Sequence, residues 1–164
     1  MQKITFRIPT TTRLGHAVDV FDKTVDAQFD RLRGKPIPDR IFYGASAVGD
    51  HGLVWLIFGA ARGLRSEHDL KAALRLGIGV GVESALVNLG IKSLFKRKRP
   101  AWESERPLHL RKPLTSSFPS GHATSAFTAA GLLGDQDSLK PLYYVVAVIV
   151  AWSRVYVKIH HASD

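Results

Sequence analysis

Three groups of residues in this 164-residue chain have the types and spacing for phosphate chemistry. Lys92 and Arg99 are seven apart with Pro100 next, so on a continuing helix they share one face to within about 20°. Two cations on one face suit a phosphate, the guanidinium through paired N–H donors and the ammonium as a point charge. Pro119, Ser120, Gly121 and His122 come next, at the start of a predicted helix. Helix-start amides and the positive dipole end favour an anion there. Gly121 lets the backbone approach it, and Ser120 can cap or donate. A histidine beside such a turn can hand a proton to a leaving oxygen. The third group is Ser153, Arg154, His160 and Asp164. Asp164 stands four residues after His160, so its carboxylate can hold one imidazole nitrogen and leave the other outward as a nucleophile. His161 competes for that role. On an unbroken helix it shares a face with Arg154, whereas His160 lies about 120° away. Either the chain breaks between Tyr156 and Ile159, or the nucleophile is not His160. Taken singly, the basic cluster at 96–99 reads as a solvated or headgroup-facing patch, and Ser120 as a plain helix cap.

These residues need elements to position them. Over 16–33 the apolar residues Val18, Phe21, Val25, Phe29 and Leu32 fall three or four apart, with Asp19, Asp22, Asp26 and Asp30 on the other face. That spacing predicts an amphipathic helix, entered through Thr10, Thr11 or Thr12 and ended by Gly34, Pro36 and Pro38. The 21 residues of 41–61 carry only Asp50 and His51 as strongly polar members, a membrane-spanning length. A second apolar stretch, 76–95, includes Glu83, Asn88 and Lys92. The segment 121–134 reads as a helix rich in small residues, and 141–157 as the most apolar run, with Pro141 suited to a first turn. No repeats or strand-period alternation are present. The expected fold is all-α and a single domain, 1–164. It comprises an amphipathic N-terminal segment (1–40) and an integral-membrane helical bundle (41–164) of about four hydrophobic helices.

Composition narrows the function. Lys and Arg number 23 against 14 Asp and Glu, a formal charge of +9, which implies an anionic partner: nucleic acid, an acidic membrane or a phosphorylated substrate. A hydrophobic content of 45% excludes a disordered basic tail. The absence of Cys excludes disulfides, thiolate metal sites and cysteine nucleophiles. Residues 1–9 hold no apolar stretch of secretory-signal length. Trp102 is the only aromatic between Pro100 and Ser117, so base stacking is poorly supported and no nucleic-acid partner is expected. A mean hydropathy of −0.01 keeps a buried bundle in water as the plainer alternative. Four successive crossings would place 1–40, 96–120 and 158–164 on one side. With the helix ends at Lys92 and Arg154, that side collects 18 Lys and Arg against 5 on the other, and positive-inside reasoning makes it cytoplasmic.

The ordered set K-x6-R-P, P-S-G-H and S-R-x5-H-x3-D, from Lys92 to Asp164, resembles the type 2 phosphatidic acid phosphatases (PAP2), which share their site with vanadium-dependent haloperoxidases. The resemblance implies an all-helical phosphatase for lipid phosphates that needs neither metal nor cofactor. It assigns Lys92, Arg99 and Arg154, with Ser120 and the Gly121 amide, to the phosphoryl oxygens. His122 becomes the general acid, and His160 the nucleophile that forms a phosphohistidine, oriented by Asp164. Family members usually continue into another hydrophobic helix, whereas this chain stops at Asp164; a carboxylate on a free end would be poorly held, so the expectation is a trimmed sequence or a partner subunit that covers the end.

The implied setting is a multi-pass protein of the cell (inner) membrane. The cytoplasmic-side site favours a biosynthetic step, and the basic loop with Trp102, Arg106, His109, Arg111 and Lys112 favours a polyprenyl-phosphoryl-phosphoribose (decaprenylphosphoryl-5-phosphoribose) of cell-wall arabinan synthesis. Phosphatidic acid, phosphatidylglycerol phosphate and undecaprenyl diphosphate are the alternatives. A vanadate-loaded haloperoxidase and a non-catalytic basic membrane-binding protein are the competing classes, and a homo-oligomeric state is left open. The charge skew yields one direct test. A cysteine introduced at Ser104 is expected to resist a membrane-impermeant thiol reagent in intact cells and to react after permeabilisation; labelling in intact cells would reverse the topology.

Overall fold

The computed structural model describes residues 12–101, 110, 113 and 115–164. The basic-loop residues Trp102, Arg106, His109, Arg111 and Lys112, and the cap candidates Thr10 and Thr11, lie outside them. Among the described residues every regular element is helical, as expected. Helix α1 (Arg13–Asp30) starts three residues before the predicted amphipathic stretch, because the Thr12 side chain accepts the Gly15 amide at 3.0 Å and caps it. Phe29 on its inner face meets Phe42 and Tyr156 edge-on, with centroids 5.6 and 5.7 Å apart. The polar face departs from expectation at Asp22, which is buried rather than solvated.

The predicted span 41–61 is not one helix. It is divided between α2 (Pro36–Gly49) and α3 (Leu53–Gly63), whose axes bend by 72° across a 3-10 turn, Asp50–Gly52. Two residues account for the break. Asp50 interrupts the apolar run, and Gly52 takes a φ of +68°, a left-handed conformation open to glycine at little steric cost. Hydrophobic length alone does not register such a break.

Helix α4 (Glu67–Leu94) runs 28 residues and starts nine before the predicted stretch. Its first turns are polar, but Ser66 caps it by accepting the Asp69 amide at 3.1 Å, and Glu67 and Asp69 complement the helix dipole. Near its end the helix widens into a π-helical stretch, Leu86–Ile91. Among the described residues it is the one helix long and apolar enough by itself to cross a membrane, and the bent α2–α3 pair would be a second if counted together. Helices α5 (Gly121–Gly134) and α6 (Lys140–Tyr156) lie close to their predicted bounds.

The core lies between α5 and α6, backed by α3 and α4. Ala126, Ala129 and Ala130 of α5 are fully buried against Tyr143, Ala147 and Val150 of α6, Leu76 of α4 and Trp55 of α3. Small side chains at this seam let the helix backbones approach closely. One end of the bundle is locked by charge. Arg62, on the last turn of α3, donates Nε to Asp69 Oδ1 at 2.8 Å, lies 3.3 Å from Asp137 Oδ2, and donates to the Leu133 and Asp135 carbonyls. Its side chain is 1% exposed. Removing one member of a buried ionic network strands the others, which costs about 3–5 kcal/mol. Arg62→Met is therefore expected to lower unfolding stability by about 3 kcal/mol or more, measured by detergent or thermal unfolding; an unchanged transition would show that the network is not a clamp.

Candidate active site

The opposite end of the bundle gathers the last turn of α4, the first turn of α5, the break between α2 and α3, and the chain that leaves α6. Lys92 sits near the end of α4, where its ammonium donates to Asn88 Oδ1 at 3.1 Å, and Asn88 in turn donates to Ser84 Oγ at 3.0 Å. A Cβ placed on Gly121 would lie 3.4 Å from the Lys92 Nζ, so the lysine stands at the start of α5. There Ser120 caps the helix, accepting the Ala123 amide at 3.4 Å. It is itself buried.

Arg99 reaches this place by a route other than the one its spacing suggests. The α4 helix ends at Leu94 and Phe95 is extended, so the seven-residue helical relation between Lys92 and Arg99 does not exist. Instead the guanidinium is held by the carbonyls of Thr115, Ser116 and Ile159, at 3.2, 3.1 and 2.9 Å. Arg154, buried on α6, donates to Ser46 Oγ of α2. Arg99 and Arg154 are both close enough to Lys92 to act on it electrostatically.

The chain breaks where the His160 assignment requires it to. Helix α6 ends at Tyr156, Lys158 takes a φ of +50°, and the His160 amide turns back to the Arg154 carbonyl at 3.1 Å. The ring of His160 donates from Nδ1 to Asp164 Oδ2 at 3.1 Å, which leaves Nε2 as an acceptor, 3.0 Å from Arg99 Nη1. His161 lies elsewhere, its Nε2 3.1 Å from the Lys98 carbonyl. Burial, with Arg99 and Arg154 acting the same way and Asp164 only partly opposing, pushes the His160 imidazole down to about 4. The ring is thus neutral at physiological pH, with its Nε2 lone pair turned toward Arg99.

Asp164 is not loosely held. Its side chain is 0% exposed. Oδ2 accepts from the Ser117 hydroxyl and from the His161 amide at 2.7 Å, and Oδ1 accepts from Arg97 at 2.7 Å. Burial would raise its carboxyl, but hydrogen bonds from His160, Ser117 and the His161 amide, with the Arg97 charge, bring it below the usual carboxylate range. Arg97, expected in a solvated patch, also pairs with buried Asp22 of α1. Asp22 in turn accepts the Ser163 amide and hydroxyl, both at 2.9 Å.

This end of the bundle therefore holds the cations Lys92, Arg99 and Arg154, a neutral imidazole oriented by a buried carboxylate that also binds Arg97, and a capped helix N-terminus. Residues 72–164, which include all three groups, match the PAP2 superfamily. The chain belongs to the PAP2 superfamily. Membership bears out the expectation of a phosphoric monoester hydrolase of the PAP2 type. The decaprenylphosphoryl-5-phosphoribose phosphatase of Mycobacterium tuberculosis is 35% identical over 121 residues, 74% of this chain and 67% of that one. The protein of the same name from Mycolicibacterium smegmatis is 30% identical over 136 residues, 81% and 72% of the two chains. In fold, the chain is similar to the crystal structure of a transmembrane PAP2 type phosphatidylglycerolphosphate phosphatase from Bacillus subtilis. The TM-score is 0.52 at 22% identity, covering 94% of this chain and 79% of that one.

Four participants were not singled out for the PAP2 site from sequence. Arg97 carried no signal within a run of four basic residues, and Ser117 none at all. Asn88 was visible only as a polar residue in an apolar stretch. Asp50 was visible in the same way, and its Oδ1 accepts from His122 Nε2 at 2.8 Å. Among the described residues no three His, Asp or Glu side chains converge to hold a metal. The two histidines after α6 can be told apart experimentally. The His160 ring is expected to stay neutral until pH falls to about 4, followed as an NMR ring-proton titration lost in His160→Ala. A midpoint near the ordinary imidazole value would contradict the buried, cation-flanked setting.

Proposed function

We propose that this protein removes the phosphate from a membrane-embedded polyprenyl-phosphoryl-phosphoribose, through a phosphohistidine on His160. The observation that carries the chemistry is the His160 ring, held at Nδ1 by Asp164 with Nε2 beside Arg99. In the first step Nε2 attacks phosphorus as the phosphorus–oxygen bond to the sugar breaks, and His122 gives its proton to the departing oxygen. In the second, water attacks the phosphohistidine, His122 takes a proton from that water, the phosphorus–nitrogen bond breaks and inorganic phosphate leaves. His122 ends as it began. Lys92, Arg99, Arg154, Ser120 and the Gly121 amide take the charge on the transferring oxygens, which suits a reaction governed by positioning and electrostatics.

The substrate reading is supported by the names of the relatives that are 35% and 30% identical. The membrane reading is supported by outward apolar residues, among them Ile57, Ile78 and Leu89 at 59, 70 and 80% exposed, a surface that water does not favour. The charge skew supports a cytoplasmic-side site, with the single domain spanning 1–164.

Purified protein in detergent with EDTA is expected to release phosphate from a polyprenyl-phosphoryl-phosphoribose faster than from phosphatidic acid, phosphatidylglycerol phosphate or undecaprenyl diphosphate. Vanadate is expected to inhibit competitively. His122→Ala and Arg154→Ala should each lose about two to four orders of magnitude in a folded protein. His160→Ala should abolish the trapped phosphohistidine, and His161→Ala should leave most of it. Near-normal turnover in His122→Ala or Arg154→Ala, or activity that EDTA abolishes and magnesium restores, would overturn the mechanism. A preference for another lipid would overturn the substrate alone.

A further inference from the structure

A carboxylate in the middle of an apolar stretch of membrane-spanning length is costly to keep and marks a functional residue by default. Asp50 is such a residue. It stands at the 72° break between α2 and α3, and the turn that carries it requires Gly52 in the left-handed conformation. The break brings the carboxylate to His122, whose Nε2 donates to Asp50 Oδ1 at 2.8 Å. Shape supports the same contact. A Cβ on Gly49 would lie 3.1 Å from His122 Cδ2 and 3.1 Å from Val150 Cγ1. The Cδ2–Nε2 edge of the ring therefore rests against the end of α2, and the Nδ1–Cε1 edge faces away from it.

We propose that Asp50 is the positioning residue of the proton donor, fixing His122 in the state that presents Nδ1 to the leaving oxygen. The proposal rests on the phosphatase reading above with His122 as the general acid. While His122 is an imidazolium, the Asp50 carboxylate stabilises its charge through Nε2–H. Once Nδ1 has given its proton to the departing oxygen, Nε2–H remains on Asp50, so the neutral ring keeps its Nδ1 lone pair ready to take a proton from water in the second step. No proton moves to Asp50 at any stage. The side chain is 46% exposed. The other charged or titratable groups acting on the His122 ring are Arg154 of α6 and His160 beyond it. Burial and Arg154 disfavour a cation there, and the Asp50 carboxylate opposes them. The two histidines of the site are thus set in opposite senses. His160 is held at Nδ1 and acts through Nε2, whereas His122 is held at Nε2 and acts through Nδ1.

The test exploits leaving-group chemistry. An alkoxide leaving group needs a proton, whereas p-nitrophenolate departs without one. Wild type, Asp50→Asn, Asp50→Glu and His122→Ala are compared on dioctanoyl phosphatidate and on p-nitrophenyl phosphate, with the unfolding transition of each variant recorded. Asp50→Asn is expected to lose tenfold or more in kcat/KM on phosphatidate, with the alkaline limb of its pH profile moved to lower pH, and to lose less than about threefold on p-nitrophenyl phosphate. Asp50→Glu should recover part of the loss. Equal losses on both substrates, or wild-type behaviour on phosphatidate, would overturn the role of Asp50 while leaving the site reading intact. If His122→Ala also leaves phosphatidate hydrolysis unchanged, the assignment of His122 falls, and the role of Asp50 with it.

Discussion

A single buried charge ties the functional end of the molecule together. The Asp164 carboxylate takes hydrogen bonds from Ser117, from His160, from the His161 amide and from Arg97, and the Asp164 carbonyl accepts the Ser120 amide at 3.1 Å. Those partners come from the segment between α4 and α5, the cap of α5 and the chain leaving α6. Through Arg97 and Asp22 the connection extends to α1. An ionised group withdrawn from water is tolerated only when its lone pairs are filled. Each donor is thereby constrained, and with them the two irregular segments that carry Arg99 and His160.

The three cations show the same economy of means. Each is held by polar neighbours, Lys92 by Asn88, Arg99 by three carbonyls and Arg154 by Ser46, while Asp164 acts on Lys92 and Arg99, and Glu83 on Lys92, through charge. Arg99 and Arg154 both repel Lys92, a repulsion that an arriving anion relieves. Holding like charges in place before the substrate binds is work done on folding, so little reorganisation is needed when negative charge shifts in the reaction.

Periodicity made the helices around 121–134 and 141–157 legible because each is an uninterrupted apolar element with a recognisable start, at Ser120 and Pro141. It failed where the determining feature is a single backbone conformation or a long-range partner. The apolar run from 41 to 61 conceals the turn at Gly52, and helical arithmetic between Lys92 and Arg99 assumes a helix that ends at Leu94. The same arithmetic from Arg154 favoured His161, and the left-handed backbone at Lys158 removes its premise. Ordered motif spacing is indifferent to how the chain gets from one residue to the next, so its pairing of His160 with Asp164, 3.1 Å apart in the structure, does not depend on a continuous helix. What neither could find were partners such as Arg97 and Asp22, whose importance comes from each other and from Asp164.

Helix α5 has 14 residues, about 21 Å of rise, and its first residue is Gly121, beside Lys92. A hydrocarbon layer is about 30 Å thick. In the membrane setting proposed here, a helix that short leaves its two ends unable to reach both surfaces. If the end tied to Arg62 stands at one surface, the site at the other end lies below the level of the headgroups. A lipid phosphate would then reach the cations by sliding sideways between helices, its tail never leaving the bilayer. Encounter becomes a two-dimensional search, and turnover follows the mole fraction of substrate among its neighbouring lipids rather than its concentration in bulk water.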